Sequence, residues 1–115
     1  MDTNNLRKWS VENSVEQRTI KGFWENINSY KEEDEEEFQE NFGTDFDEHQ
    51  LTVDLKGVSL HIDQWDNTKV YETISYGFDF IVSLIPIVYK NKHLGDYKML
   101  FTLKGEIFDD FFIIF

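Results

Sequence analysis

Three histidines are the natural starting point for chemistry in this chain, and each has a carboxylate within reach. Asp45-Phe46-Asp47-Glu48-His49 offers oxygen and imidazole donors, and in an extended chain Asp45, Asp47 and His49 would point one way. It lacks the further ligands and the turn glycine that a calcium loop places among its acids, so it reads as a solvated, charged approach to the first strand. His61 and Asp63 share a face if that segment is a strand, where a carboxylate could orient an imidazole for general acid–base work. His61 also alternates with Leu60 and Ile62, as an outward polar residue should. His93 and Asp96 lie in a segment read as an exposed turn. Ser59, Ser75 and Ser83 alternate with apolar neighbours, and none sits in G-x-S-x-G. Phosphate-cradling glycine loops are absent from the sequence, and so is cysteine. These residues predict no catalytic group, no metal site, no cofactor and no enzyme activity.

Charge is the stronger signal. The 115 residues carry 23 acids against 11 bases, a formal charge of −12. Ten of the acids fall between positions 32 and 48: Glu32, Glu33, Asp34, Glu35, Glu36, Glu37, Glu40, Asp45, Asp47 and Glu48, with no Lys or Arg among them. The remainder, 13 acids against 11 bases, is close to neutral. Four rings, Tyr30, Phe38, Phe42 and Phe46, are spaced four or eight residues apart through the same region. Rings ringed by charge suit a protein interface, where rings supply burial and charges supply steering. The bland alternative is a solvated helix face that keeps the protein in solution. So acidic a surface argues against binding nucleic acid or an anionic bilayer, both of which present phosphates.

The elements that must carry these residues can be read from periodicity. At this length a single domain over 1–115 is expected, with aromatics (17 % of residues) dense enough to exclude an acidic disordered chain. Ser14 and Gln17 have capping-box spacing, after which Val15, Ile20, Phe23, Trp24, Ile27 and Tyr30 follow one helical face, with Gly22 a weakening insertion. A second helix is predicted at about 32–41, with Gly43 as its stop. The helical part thus covers about 1–43. From about 49 to 115 the period is two. Leu51, Val53 and Leu55, then Val58, Leu60 and Ile62, flank Lys56-Gly57 as a hairpin would. Strands are also expected at 69–76, at 78–89 with Pro86 at an edge, bulge or end, and at 97–103 and 107–115 around Lys104-Gly105. The segment 91–96 reads as a turn, and the two Leu-Lys-Gly turns hint at a repeat. The C-terminal Phe111-Phe112-Ile113-Ile114-Phe115 must be buried as a strand. Helices followed by short-linked strands predict an α+β fold, with N-terminal helices packed on a curved antiparallel sheet of five to six strands.

A hollow lined by Trp65, Tyr71, Phe78, Phe80 and Tyr97 would suit a small ligand, although such rows are more often core. In size, acidity, lack of cysteine and architecture, the chain resembles the small immunity proteins of polymorphic-toxin and contact-dependent growth-inhibition systems. Met1–Asn5 lacks the pattern of a signal peptide and the longest apolar run, Phe80–Tyr89, is about half a membrane span, so a cytoplasmic protein is expected, in line with that resemblance. The resemblance also implies a cognate basic toxin domain, in many cases a nuclease, whose groove is neutralised by electrostatic occlusion. The contact surface would be the ten carboxylates with Phe38, Phe42 and Phe46. An acidic nucleic-acid mimic and a small-ligand domain are the alternatives. Oligomeric state is open, with a monomer favoured.

Overall fold

The computed structural model describes residues 1–66, 68 and 75–115. Three helices come first: α1 (Thr3–Glu12), α2 (Val15–Glu33) and α3 (Glu35–Phe42). A 3-10 turn, Glu48–Gln50, leads to an antiparallel sheet of β1 (Leu51–Thr52), β2 (Gly57–His61), β3 (Phe80–Tyr89), β4 (Lys92–Thr102) and β5 (Ile107–Ile114). The sheet does not close, and the helices pack on one of its faces: the α+β arrangement that the sequence predicts.

The order across the sheet is β1-β3-β4-β5, and β2 lies on the same edge of β3 as β1. This corrects the hairpin expected at Lys56-Gly57. Thr52 pairs with Val88 and Gly57 with Leu84, so both short runs travel along β3 in one direction, as an edge strand broken in the middle. Five steps on that edge match four on β3, and the extra residue bulges out. Pro86 lies opposite the break. The N–H of Lys90 donates to Gln50 and that of Lys56 to the Leu84 carbonyl, so even-numbered residues of β3 present their backbone to this edge. A proline there leaves no donor stranded.

The β3–β4 connection is tighter than expected. Lys90 and Asn91 both have positive φ (50° and 65°), which makes a two-residue hairpin turn with the twist that neighbouring strands need. The predicted turn at 91–96 is therefore mostly strand, and His93 and Asp96 lie on β4. Of the two Leu-Lys-Gly segments only the second is a turn, with Gly105 at φ +88°, so there is no repeat. Residues 69–74 of the strand expected at 69–76 lie outside the described residues, and Ser75 and Tyr76 are not in a strand.

Odd-numbered residues of β3 and β4 face the helices. Ile81, Ile85, Ile87, Tyr97, Met99 and Phe101 join Val15, Phe23 and Ile27 of α2 in the core. Ser83 is fully buried on the same face. Its Oγ lies 2.8 Å from Thr19 Oγ1, whose hydroxyl donates to the Val15 carbonyl, a satisfied polar bolt between α2 and β3. Ser14 makes no side-chain cap. It takes a left-handed conformation (φ 51°) at the corner between α1 and α2. The N-cap that does form is Asp2, which accepts from the Asn5 N–H and starts α1, a helix with too few apolar positions to stand out in the sequence.

Gly22 fixes how close α2 comes to the sheet. A Cβ there would fall inside van der Waals contact of the Tyr97 hydroxyl and the Met99 methyl. Tyr97 cannot swing away easily, because its hydroxyl donates to Asp110 on β5 at 2.8 Å. Gly22→Ala should gain about 1 kcal/mol of helix propensity and lose about 1–3 kcal/mol to overpacking. Urea unfolding is expected to show a net loss, and a more stable variant would mean that α2 is not seated by this contact.

Candidate functional site

All ten carboxylates of the acidic window are solvent-exposed. Glu32 and Glu33 end α2, Asp34 joins it to α3, Glu35, Glu36 and Glu37 form the first turn of α3, and Glu40 follows one turn later. Asp45, Asp47 and Glu48 lie on the segment that leads through the 3-10 turn into β1. The three acids opening α3 favour it, since a helix N-terminus presents free N–H groups and partial positive charge. Among the described residues, the window's one ion-pair geometry is Asp47 with His49, at 3.0 Å. Among the described residues the patch therefore stands largely unneutralised.

Two of these acids are perturbed in opposite directions. Glu37 is raised above its ordinary value, first by a hydrogen bond shared with Asp34 and then by repulsion from that neighbour. Asp47 is lowered, first because its carboxylate accepts the His49 backbone N–H and then through the His49 ring. Asp47 is also held in place from the protein side. Its own N–H donates to the Tyr89 hydroxyl at 3.0 Å, at the end of β3.

Phe38 and Phe42 do not join the acids on the surface, which corrects the expected exposure of those two rings, whereas Phe46 stays partly open beside Asp47 and Glu48. Phe38 and Phe42 are 2 % and 4 % exposed, and Phe46 is half-buried. Phe38 stacks on Phe42 at 4.7 Å, Phe46 lies flat on Tyr89 at 5.4 Å, and Tyr30 meets Phe38 edge-on at 5.5 Å. Four-residue spacing puts Phe38 and Phe42 on one side of α3, and that side turns inward because an eight-residue helix needs packing to form. The rings are the foundation and the acids are the exterior.

Between α2, α3 and the loop before β1 lies a cleft of about 300 Å³, lined by rings of Trp24, Phe38 and Phe46, by Lys31, and by the Asp47–His49 segment. The Lys31 ammonium lies 5.5 Å from the centre of the Phe46 ring. Sequence reasoning passed over Lys31 and Trp24. Lys31 immediately precedes the acidic run, and its neighbourhood to Phe46 depends on how α2 meets the loop.

Of the other candidate pairs, His93 and Asp96 meet, while Asp63 and His61 take their main contacts elsewhere. Asp63 accepts from the Ser75 hydroxyl and the Gly77 N–H, and is lowered chiefly by Ser75, while His61 stacks on Phe80 at 4.6 Å. His93 Nε2 is 2.9 Å from Asp96 Oδ1 on the surface of β4. Among the described residues, no three His, Asp or Glu side chains gather as a metal site would need. Among the described residues the expected aromatic hollow does not assemble either. Tyr97 lies under α2, Phe80 is on the opposite sheet face with Tyr76 and Phe108, and Trp65 is 86 % exposed. Tyr71 lies outside the described residues. Among the described residues, no helix is long and apolar enough to cross a membrane. The chain matches no protein-family model, no curated protein and no solved structure.

Two measurements check this assignment. Phe38→Ala should lower the unfolding free energy by about 3–5 kcal/mol, as for a core ring; a change under about 1 kcal/mol would return Phe38 to the surface. The second is the pH profile of melting. Glu37 binds its proton more tightly folded than unfolded, so its contribution is fully present below the ordinary value of 4.5 and fades as pH rises through the raised folded value. Asp47 has the opposite sign: its contribution is present above 3.8 and is lost as pH falls through the lowered value. The Glu37 contribution to melting temperature should therefore rise as pH falls from neutral toward its ordinary value, and the opposite Asp47 contribution should be lost on further acidification. Glu37→Gln should flatten the rise and leave the acid limb in place.

Proposed function

We propose that this chain is an immunity-type protein that neutralises a cognate basic toxin domain in the cytoplasm by covering its substrate groove. One observation carries the reading: ten exposed carboxylates crowd one end of the chain's helical layer, with scarcely a cation of its own among them. A nuclease groove holds Lys and Arg where phosphates bind, and carboxylates can take the phosphates' places. No bond is made or broken, and no catalytic residue is needed. Complementary charge raises association rates to about 10⁸ M⁻¹s⁻¹ or more at low salt. Speed matters, because each free toxin molecule turns over many substrates. Clustering at one end, rather than along a ribbon, suits a single groove better than it suits mimicry of a nucleic-acid duplex.

Because Phe38 and Phe42 are core, they hold the acids in place rather than anchor the partner. Charge on α3 is therefore responsible for encounter, and changes there should be kinetic. Glu35→Lys, Glu36→Lys and Glu37→Lys together should slow association with the toxin domain encoded beside this gene and flatten its salt dependence. Melting should change little, since exposed charges contribute little to stability. Co-expression should protect cells from that toxin. Full protection after all ten carboxylates are replaced by Gln or Asn would overturn the mechanism.

A further inference from the structure

The cleft beside the acidic window is built differently from the acids on α3. Phe46 lies parallel to Tyr89, with 7° between their planes, and contacts Phe38 at 4.9 Å, so its ring is fixed. An aromatic face attracts cations, and the Lys31 ammonium already rests 5.5 Å from the centre of this one. Asp47 stands in the same lining, tied to Tyr89 through its N–H and to His49 through Oδ1, and Glu48 follows it. Carboxylates on α3 swing on long stems at the surface, whereas Asp47 has a short stem and a fixed backbone. A site held in position before binding loses less freedom when it binds.

We propose that this cleft receives one arginine side chain of a basic protein partner, whose guanidinium displaces the Lys31 ammonium from the Phe46 ring and pairs with Asp47 and Glu48. The proposal rests on reading the acidic end as a contact surface, and names the place within it that lengthens residence. Arginine fits better than lysine. A planar guanidinium can lie on a ring face and still present its N–H fork to a carboxylate, which a compact ammonium cannot. About 300 Å³ is at the small end of binding clefts, the size for one side chain rather than a folded segment. Lys31 then acts as a resident cation, keeping the ring and the carboxylate compatible until a better-shaped cation arrives.

The test uses N-acetyl-arginine amide as the probe, titrated into the full chain and followed by NMR. Saturating shifts are expected at the Trp24 indole and the backbone amides of residues 46–49, with a dissociation constant in the millimolar range. The uncharged citrulline analogue should give no saturating shifts, and the lysine amide should bind several-fold more weakly. Asp47→Asn, which retains a capping side chain for the 3-10 turn, should weaken the arginine probe about tenfold. Phe46→Leu, which keeps apolar volume but removes the ring face, should weaken it several-fold, and Lys31→Gln should strengthen it several-fold. Glu106→Gln, an exposed acid in the β4–β5 turn at the other end of the sheet, should leave it within about twofold. Melting curves for each variant separate lost binding from lost folding. Shifts equal for citrulline, or insensitive to both Asp47→Asn and Phe46→Leu, would overturn the cleft. The two readings fail separately: if the probe does not bind while the α3 lysine substitutions still slow toxin association, the acidic surface stands without the cleft. If the probe binds while toxin neutralisation ignores every carboxylate, the cleft is a cation site outside the proposed function.

Discussion

An eight-residue helix with four carboxylates stays folded because two of its rings leave water. The like-charge pairs three or four apart on α3, Glu36–Glu40 and Glu37–Glu40, cost a few tenths of a kcal/mol each, so the repulsion stays below about 1 kcal/mol. Burying Phe38 and Phe42 returns about 1.5–3 kcal/mol apiece, and the acids of the first turn recover part of the repulsion at the helix N-terminus. Burial wins, but only through Tyr30, Phe46 and Tyr89, which close the cluster around the two rings. The acidic end therefore depends on the end of β3 for its shape. Tyr89 gives Phe46 a surface to lie on and accepts the Asp47 N–H, so the charged surface is coupled to β3, a strand paired on both edges.

That coupling divides the acids by what they can do. Those on α3 sit on long, solvated stems and contribute a field, which acts over about 8–10 Å at ordinary ionic strength and asks nothing of their individual positions. Asp47 is short, hydrogen-bonded and close to a ring, and contributes geometry. A field speeds encounter and geometry slows departure. Both properties come from one stretch of chain because the residues alternate between the interior and water as α3 turns.

How much of this is legible in the sequence depends on whether a local pattern names its own partner. Helices before strands and alternation along 80–89 and 107–114 are local, and they point to the right architecture. The hairpin at Lys56-Gly57 is not found because two short alternating runs look the same whether they pair with each other or both pair with a third strand. The ten-residue β3 offers the longer edge. The turn at Lys90-Asn91 escapes because neither residue is glycine, although asparagine tolerates positive φ. Phe38 and Phe42 show the limit most clearly. Spacing of four places them on one face of a helix and cannot say whether that face meets water or Tyr30. Gly22 is the converse case: locally it only weakens a helix, and its purpose depends on Tyr97, 75 residues away.

The same charge imbalance bears on the exposed edge of the sheet at β5. Among the described residues β5 pairs only with β4, leaving one edge unpaired, and it exposes Ile107, Phe111 and Ile113. The C-terminal run is a strand as expected, but an edge strand rather than an enclosed one. Such an edge invites a second copy to add on. Two features oppose that. Phe115 donates to the Leu94 carbonyl, so the Asp110 N–H points away from β4, and there the Asp109 carboxylate takes it at 2.9 Å while also accepting from the Tyr76 hydroxyl. An outward donor is thus occupied in the middle of the edge, with a carboxylate beside it. The second feature is the net charge of −12, which gives any two copies a long-range repulsion that no local cap supplies. The charge that would steer the proposed basic partner also opposes self-association at an apolar edge, so one distribution of charge can meet both requirements.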